Sequence, residues 1–350
     1  MRLRRSMLVV KSPRKNPPTM LVTADNSSIS TAPSVRFYQR APMLIVALML
    51  SCAAAPSIDD IRAFHARQTR VASIARRILT SNLDSCPIKR EDYGFNAASP
   101  DWNAPETVRL AWVTALRLGE GSTVISVFPD SPAQKAGLEV GDEISAANGF
   151  SWSQSAAAQA AFRNALANGV RGPLLHLTIR REKHDIAMEL RGQSVCDVSI
   201  MAVSGGRGNA SATGNTIVVD AGLEGLLSID DELAFIIAHE AAHIFLGHSG
   251  ADQRDAVKDA TKRFAIEKAA DMLGVRLMLR AGYAPEVAAS ANARVEHNLR
   301  GPIARFLDYH GSYMPTKVRS AFLAQQAAEA RDEYILKPRS TLNQGLLKPE

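Results

Sequence analysis

One segment constrains this chain more than any other: Leu233-Ala234-Phe235-Ile236-Ile237-Ala238-His239-Glu240-Ala241-Ala242-His243. It is apolar and alanine-rich all round, so as a helix it must be buried. Three ionisable side chains sit in it nonetheless, and burying such groups without a compensating partner is costly. His239 and His243 are four apart and share one helix face. Two neutral imidazoles so placed can bind zinc through bonds of about 2.0–2.1 Å. Glu240 lies about 100° round the helix from His239, within reach of a water at the same metal. Ser228 with Asp231 reads as the helix start, with acids in the first turn. The other reading is a buried helix with two satisfied histidines, since this spacing also occurs by chance.

A catalytic zinc needs a third protein ligand and an open position. The metzincin solution requires Gly at 246 and His at 249. The chain has Leu246 and Ser249 there, with Gly247 and His248 between them. The gluzincin solution is a downstream Glu on a second helix. Glu267 and Asp271 are again four apart, with Glu267 as the third ligand and Asp271 as acceptor for a ligand imidazole. Taken alone, this pair reads as a solvated acidic face on a Lys-rich helix.

Together, the stretch from about Asn209 to Ala288 resembles the HtpX-like and CAAX-protease-like zinc metallopeptidases, family M-forty-eight of the gluzincins. The matching residues are Asn209-Ala210, Gly222-Leu223, Asp231-Glu232-Leu233-Ala234, His239-Glu240-x-x-His243 with His248, Glu267-x-x-Ala270-Asp271, Leu273-Gly274 and Ala281-Gly282-Tyr283. The resemblance implies one zinc per chain on His239, His243 and Glu267, with Glu240 as general base. It implies a substrate-lining strand at Asn209, Ala210 and Ser211, and gives His248 no ligand role. Two departures stand out. The gap from His243 to Glu267 is short. Where relatives carry His-Pro and then Arg, this chain has Tyr313-Met314-Pro315 and then Arg319, so His310 or Tyr313 would have to stand in as transition-state stabiliser.

A second unit lies upstream. Val124–Val127 reads as a strand, Ser131-Pro132-Ala133 as a helix cap, and Gly137 as that helix's end. Gly141-Asp142 reads as a turn and Asn148-Gly149 as a hairpin signal. A helix near Ser155–Leu166 and strands at Leu174–Arg180 and Ile186–Leu190 complete it. The series resembles a bacterial PDZ domain, placed at 90–195, which would bind misfolded or C-terminal peptides by strand addition. Tyr93-Gly94-Phe95 is either its carboxylate-binding loop or an aromatic turn packing on the module. Residues 84–108 read as a linker or loop entry.

Eight basic residues and one acid lie in 1–51, a local +7 against +6 for the whole chain, which leaves the rest at −1. The basic balance therefore belongs to a leader, and nothing supports nucleic-acid binding. Arg36 and Arg40 precede an apolar run from Met43 to Leu50, then small residues, in the order of a signal peptide. Leu48-Met49-Leu50-Ser51-Cys52 resembles a lipobox. Cys52 is either lipidated, which would anchor the chain to a membrane, or discarded by cleavage near Ala53–Ala55. That leaves Cys86 and Cys196, which either form a disulfide in an oxidising compartment or stay as buried thiols.

The expected fold class is α+β. A leader covers 1–56, an amphipathic helix 57–85, a small β-rich PDZ-like module 90–195, a mainly helical gluzincin domain 198–336, and a disordered tail 337–350. The expected protein is an exported zinc endopeptidase of the bacterial envelope, on the periplasmic side and acting on polypeptides. The alternatives are a non-catalytic PDZ scaffold on a decayed protease fold and a hydrolase of cell-wall peptides.

Overall fold

The computed structural model describes residues 56–101, 103–170, 172–250, 260–299 and 314–336. The leader with Cys52, the candidates His310 and Tyr313, and the tail from Lys337 lie outside these residues.

Helix α1 (Ile58–Ser81) opens the described chain, with the Ser57 hydroxyl accepting from the Asp60 N–H at its start. Strands β1 (Lys89–Asp92) and β2 (Phe95–Ala98) follow, then α2 (Glu106–Leu116) and β3 (Ser122–Val127). The segment 84–108 is therefore not a linker. Its polar residues sit in two short strands and in the turns between them, and its end begins a helix. Next come α3 (Pro132–Lys135), β4 (Glu143–Ala147), β5 (Phe150–Ser151), α4 (Ala156–Gly169), β6 (Leu174–Arg181) and β7 (His184–Arg191).

The sheet order is β2-β3-β4-β6-β7, with β5 paired to β4. Asn148 and Gly149, with φ of 47° and 83°, form the two-residue hairpin turn between β4 and β5. Helix α4 closes this sheet by inserting Phe162 and Leu166 among Val124, Ile144, Leu175 and Ile179. Tyr93 is buried in the same core, and a Cβ on Gly94 would collide with Ser131. The Tyr93-Gly94-Phe95 turn thus packs on the module.

Strand β8 (Gln193–Cys196) pairs antiparallel with β1, so the strands entering and leaving the module form a two-stranded neck. Cys86 and Cys196 are disulfide-bonded at its base. At its top, Arg76 of α1 donates to Asp92, to Gln193 and to the Pro129 carbonyl.

Beyond the neck lie β9 (Ser199–Val203), β10 (Ala210–Thr213), β11 (Thr216–Asp220), α5 (Ala221–Leu226), α6 (Asp230–Phe245), α7 (Ala260–Arg280), a 3-10 turn (Pro285–Val287), α8 (Ala288–Leu299) and α9 (Thr316–Leu336). The sheet order here is β10-β11-β9, and β9 is parallel to β11. Helix α1 buries Val71, Ile74, Ala75, Ile78 and Leu79 in this second core, alongside α6 and α7. The described residues are α+β, with three sheets, one of them the two-stranded neck, and a helical layer.

The start of α6 differs from the sequence expectation. Ile229 is the N-cap and no side chain caps the helix. The Asp231 carboxylate instead accepts from the Ala284 N–H. A distant backbone donor has claimed it, and Asp230, Asp231 and Glu232 still place negative charge at the positive helix end.

Candidate metal centre

Helices α6 and α7 build the centre between them. They pack closely because Gly274 presents no side chain: a Cβ there would stand 3.0 Å from both the Cα and N of His239. Asp271 and Glu267, one and two turns nearer the N-terminus of α7 than Gly274, then face His239 and His243. The Nε2 atoms of the two histidines are 3.1 Å apart. Glu267 lies 3.5 Å from His239 Nε2 through Oε2 and 3.8 Å from His243 Nε2 through Oε1. Ligand atoms from all three residues fall within 4.8 Å of one another. Neighbouring ligands of a tetrahedral zinc with bonds of about 2.0–2.1 Å stand about 3.3–3.4 Å apart, so this donor set fits that ion in both chemistry and spacing.

The electrostatics call for a cation at the same point. Burial opposes charge on His239, but Asp271 and Glu267 outweigh it and lift its pKa to about 10. Burial, reinforced by the charge on His239, pushes His243 down to about 3, leaving a neutral imidazole. Glu267 is held at about 2 against the effect of burial by its contacts with His239, His243 and Arg319. Two carboxylates thus draw positive charge between the rings, and a divalent cation supplies more of it than one proton.

Asp271 lies outside the donor set. Its Oδ1 is 2.9 Å from His239 Nδ1, which leaves Nε2 of that ring for the metal. The carboxylate is fully buried, so it belongs to no solvated acidic face. Arg319 of α9 donates to both its oxygens, at 2.7 and 2.8 Å. The same guanidinium reaches Glu267 at 3.4 Å and Glu296 at 3.3 Å. In the sequence Arg319 was one residue of a departing motif; Glu296 had no signal at all, because both contacts depend on α8 and α9 folding back over α7.

Glu240 has its pKa raised by burial, with the nearby charge on His239 and a hydrogen bond from the Ala212 N–H partly offsetting this. That bond ties α6 to β10. Among the described residues, strand β10 pairs with β11 on one side only. Since Ala212 aims its N–H away from β11, alternation makes Ala210 and Ala212 the residues whose backbone groups face outward. Of the expected substrate-lining residues, Ala210 has this orientation, Ser211 faces β11, and Asn209 sits in the preceding loop, where its carbonyl accepts from Asp220. Ala212 was missed, because the facing of an edge strand depends on register. The opposite edge of the sheet is closed. Gln68 of α1 donates to the Ala202 carbonyl at 2.6 Å and accepts from its N–H at 3.0 Å, standing in for a neighbouring strand.

The model of Peptidase family M48 matches residues 184–257, a stretch that includes His239, Glu240 and His243 and ends before Glu267. The match supports a metallopeptidase. No curated protein matches the chain. Among solved structures, the chain is similar to a crystal structure of the HtrA3 PDZ domain bound to a phage-derived ligand (FGRWV). The identity is 22%, over 31% of this chain and 89% of that one, with a TM-score of 0.22.

Proposed function

We propose that this chain is a zinc-dependent endopeptidase with Glu240 as its general base. The observation that carries the proposal is the convergence of His239, His243 and Glu267 beside a strand edge tied to Glu240. Zinc bound by these three residues would polarise the scissile carbonyl and acidify the attacking water. Glu240 would take a proton from that water and deliver it to the leaving amine, a task suited to a carboxyl group whose pKa burial has raised. An extended substrate would add to β10 through the outward groups of Ala210 and Ala212, which lays its backbone along α6. A transition-state role for His310 or Tyr313 rests on the resemblance alone.

The PDZ-like module at 90–195 would recruit or regulate substrate. Its two sheet edges differ. Strand β7 carries His184, Asp185, Glu189 and Arg191, and such charges discourage pairing. Strand β2, Phe95-Asn96-Ala97-Ala98, carries none. A misfolded or C-terminal peptide would therefore add at β2. The leader and the Cys86–Cys196 bridge favour export to the periplasmic side of a bacterial envelope, with Cys52 as a lipid anchor. Among the described residues, no helix is long and apolar enough to cross a membrane.

The test compares the purified protein with Glu240→Gln. The expected result is one zinc in each, with cleavage of an unfolded protein lost in the variant. No zinc in metal-replete wild type would turn the reading to a non-catalytic PDZ scaffold. Activity on isolated cell wall but not on unfolded protein would turn it to a cell-wall hydrolase.

A further inference from the structure

We infer that His248 is a positioning residue for the ligand His243, and that the way α6 ends puts it there. The inference rests on the metal-site reading above. Helix α6 stops at Phe245 with Leu246 as C-cap. The Gly247 N–H then bonds the Ile244 carbonyl at 3.1 Å, and the His248 N–H bonds the His243 carbonyl at 2.8 Å. Gly247 has φ of +74°. These two bonds around a left-handed glycine form a Schellman stop, which folds the second residue past the cap onto the residue three before it. That contact is commonly apolar. Here the fold-back sets His248 on His243, with ring centroids 5.4 Å apart and Nδ1 atoms 3.3 Å apart.

The position is anchored from the far side as well. The Ser249 hydroxyl donates to the Gly214 carbonyl at 2.6 Å, and the Gly214 N–H donates to the Ser249 carbonyl at 3.0 Å. His248 is thereby held between the end of α6 and the turn joining β10 to β11. The segment carrying it also steadies the strand beside Glu240.

The hydrogen bond has a definite direction if His243 is a ligand. A neutral imidazole has one donor and one acceptor nitrogen. Nε2 of His243 faces His239 and Glu267 and must offer its lone pair, so its proton sits on Nδ1. That proton points at His248 Nδ1, which accepts it and keeps its own proton on Nε2. The two ligand rings are therefore oriented by different partners: a carboxylate braced by Arg319 for His239, a neutral imidazole for His243. Such partners fix the ligand's tautomer and raise its basicity.

The test measures zinc affinity by chelator competition in wild type, His248→Phe and His248→Gln, and records the visible spectrum of each with cobalt in place of zinc. Phe keeps a ring packed on His243 but offers no acceptor; the Gln amide oxygen can accept. The expected result is a loss of about 10–100-fold in affinity for His248→Phe, a shifted cobalt spectrum in that variant, and recovery of most of the affinity in His248→Gln. Wild-type affinity in His248→Phe would overturn the inference by reducing the contact to packing. Equal losses in both variants would overturn it by making His248 a direct ligand or a structural residue. A wild type that binds neither metal would overturn the metal-site reading itself, and this inference with it.

Discussion

The guanidinium of Arg319 grips Asp271 through both carboxylate oxygens, at 2.7 and 2.8 Å, with the acid fully buried. A paired, buried charge is expensive to strand: removing one partner typically costs about 3–5 kcal/mol. Arg319→Met should destabilise the metal-free protein by about that amount in urea denaturation. Arg319→Lys keeps the charge but not the planar two-point grip, so it should recover only part of the loss. Both variants should also retain zinc less well, because Asp271 orients His239. Unchanged stability in Arg319→Met would show that the pair contributes nothing to the fold.

Gly274 sets the distance between the two helices that carry the candidate donors His239, His243 and Glu267. The atoms a Cβ would meet at 3.0 Å are backbone atoms of His239, which cannot swing aside. Gly274→Ala should therefore push α7 away from α6, carrying Glu267 off the imidazoles. Overpacking of this kind costs about 1–3 kcal/mol. The expected signature is a loss of zinc affinity, read by chelator competition, beyond that of an alanine substitution at the exposed Gly225, where a Cβ meets nothing. Equal affinity in both variants would mean that the helices adjust without moving the ligands.

The parts of the site written in short-range spacing were legible in the sequence. His239 with His243, and Glu267 with Asp271, each share a helix face because the helix repeat makes four-residue neighbours adjacent. The strands and turns of the smaller sheet-rich unit were legible for a similar reason: Asn148-Gly149 and Gly137 announce their own backbone conformations. What was not legible depends on distant partners. The grip of Arg319 on Asp271 spans 48 residues, and the bonds of Gln68 to Ala202 span 134. Asp231 left its capping role for the N–H of Ala284. Helix α2 was hidden because only Ala115 of its eleven residues is buried, so it carries little apolar pattern.

The Cys86–Cys196 bridge closes a separation of 110 residues at the base of the neck. A cross-link over so long a stretch removes much freedom from the unfolded chain, and losing a native one commonly costs about 2–5 kcal/mol. Cys86→Ala/Cys196→Ala should lower stability by that order, read by denaturation with and without reductant. Reductant should destabilise the wild type and leave the double variant unmoved. If it moves both equally, it acts elsewhere.

His65 gives the junction between α1 and the sheet-rich unit a pH dependence. Its Nε2 lies 3.0 Å from the Ile125 carbonyl, at the residue left over where the β2–β3 register shifts. Burial lowers its pKa below the ordinary 6.5, and the bond to Ile125 only partly offsets this. Well above pH 6.5 the ring is neutral in both folded and unfolded chains, so it adds no slope. As pH falls below 6.5, the unfolded chain takes up a proton that the folded one resists, and stability is lost. The Gln amide can make the same bond without titrating. Melting temperatures of wild type and His65→Gln, measured from pH 7.5 to 5, should therefore diverge towards acid, with the wild type falling faster. Parallel curves would mean that His65 takes up its proton equally well in both states.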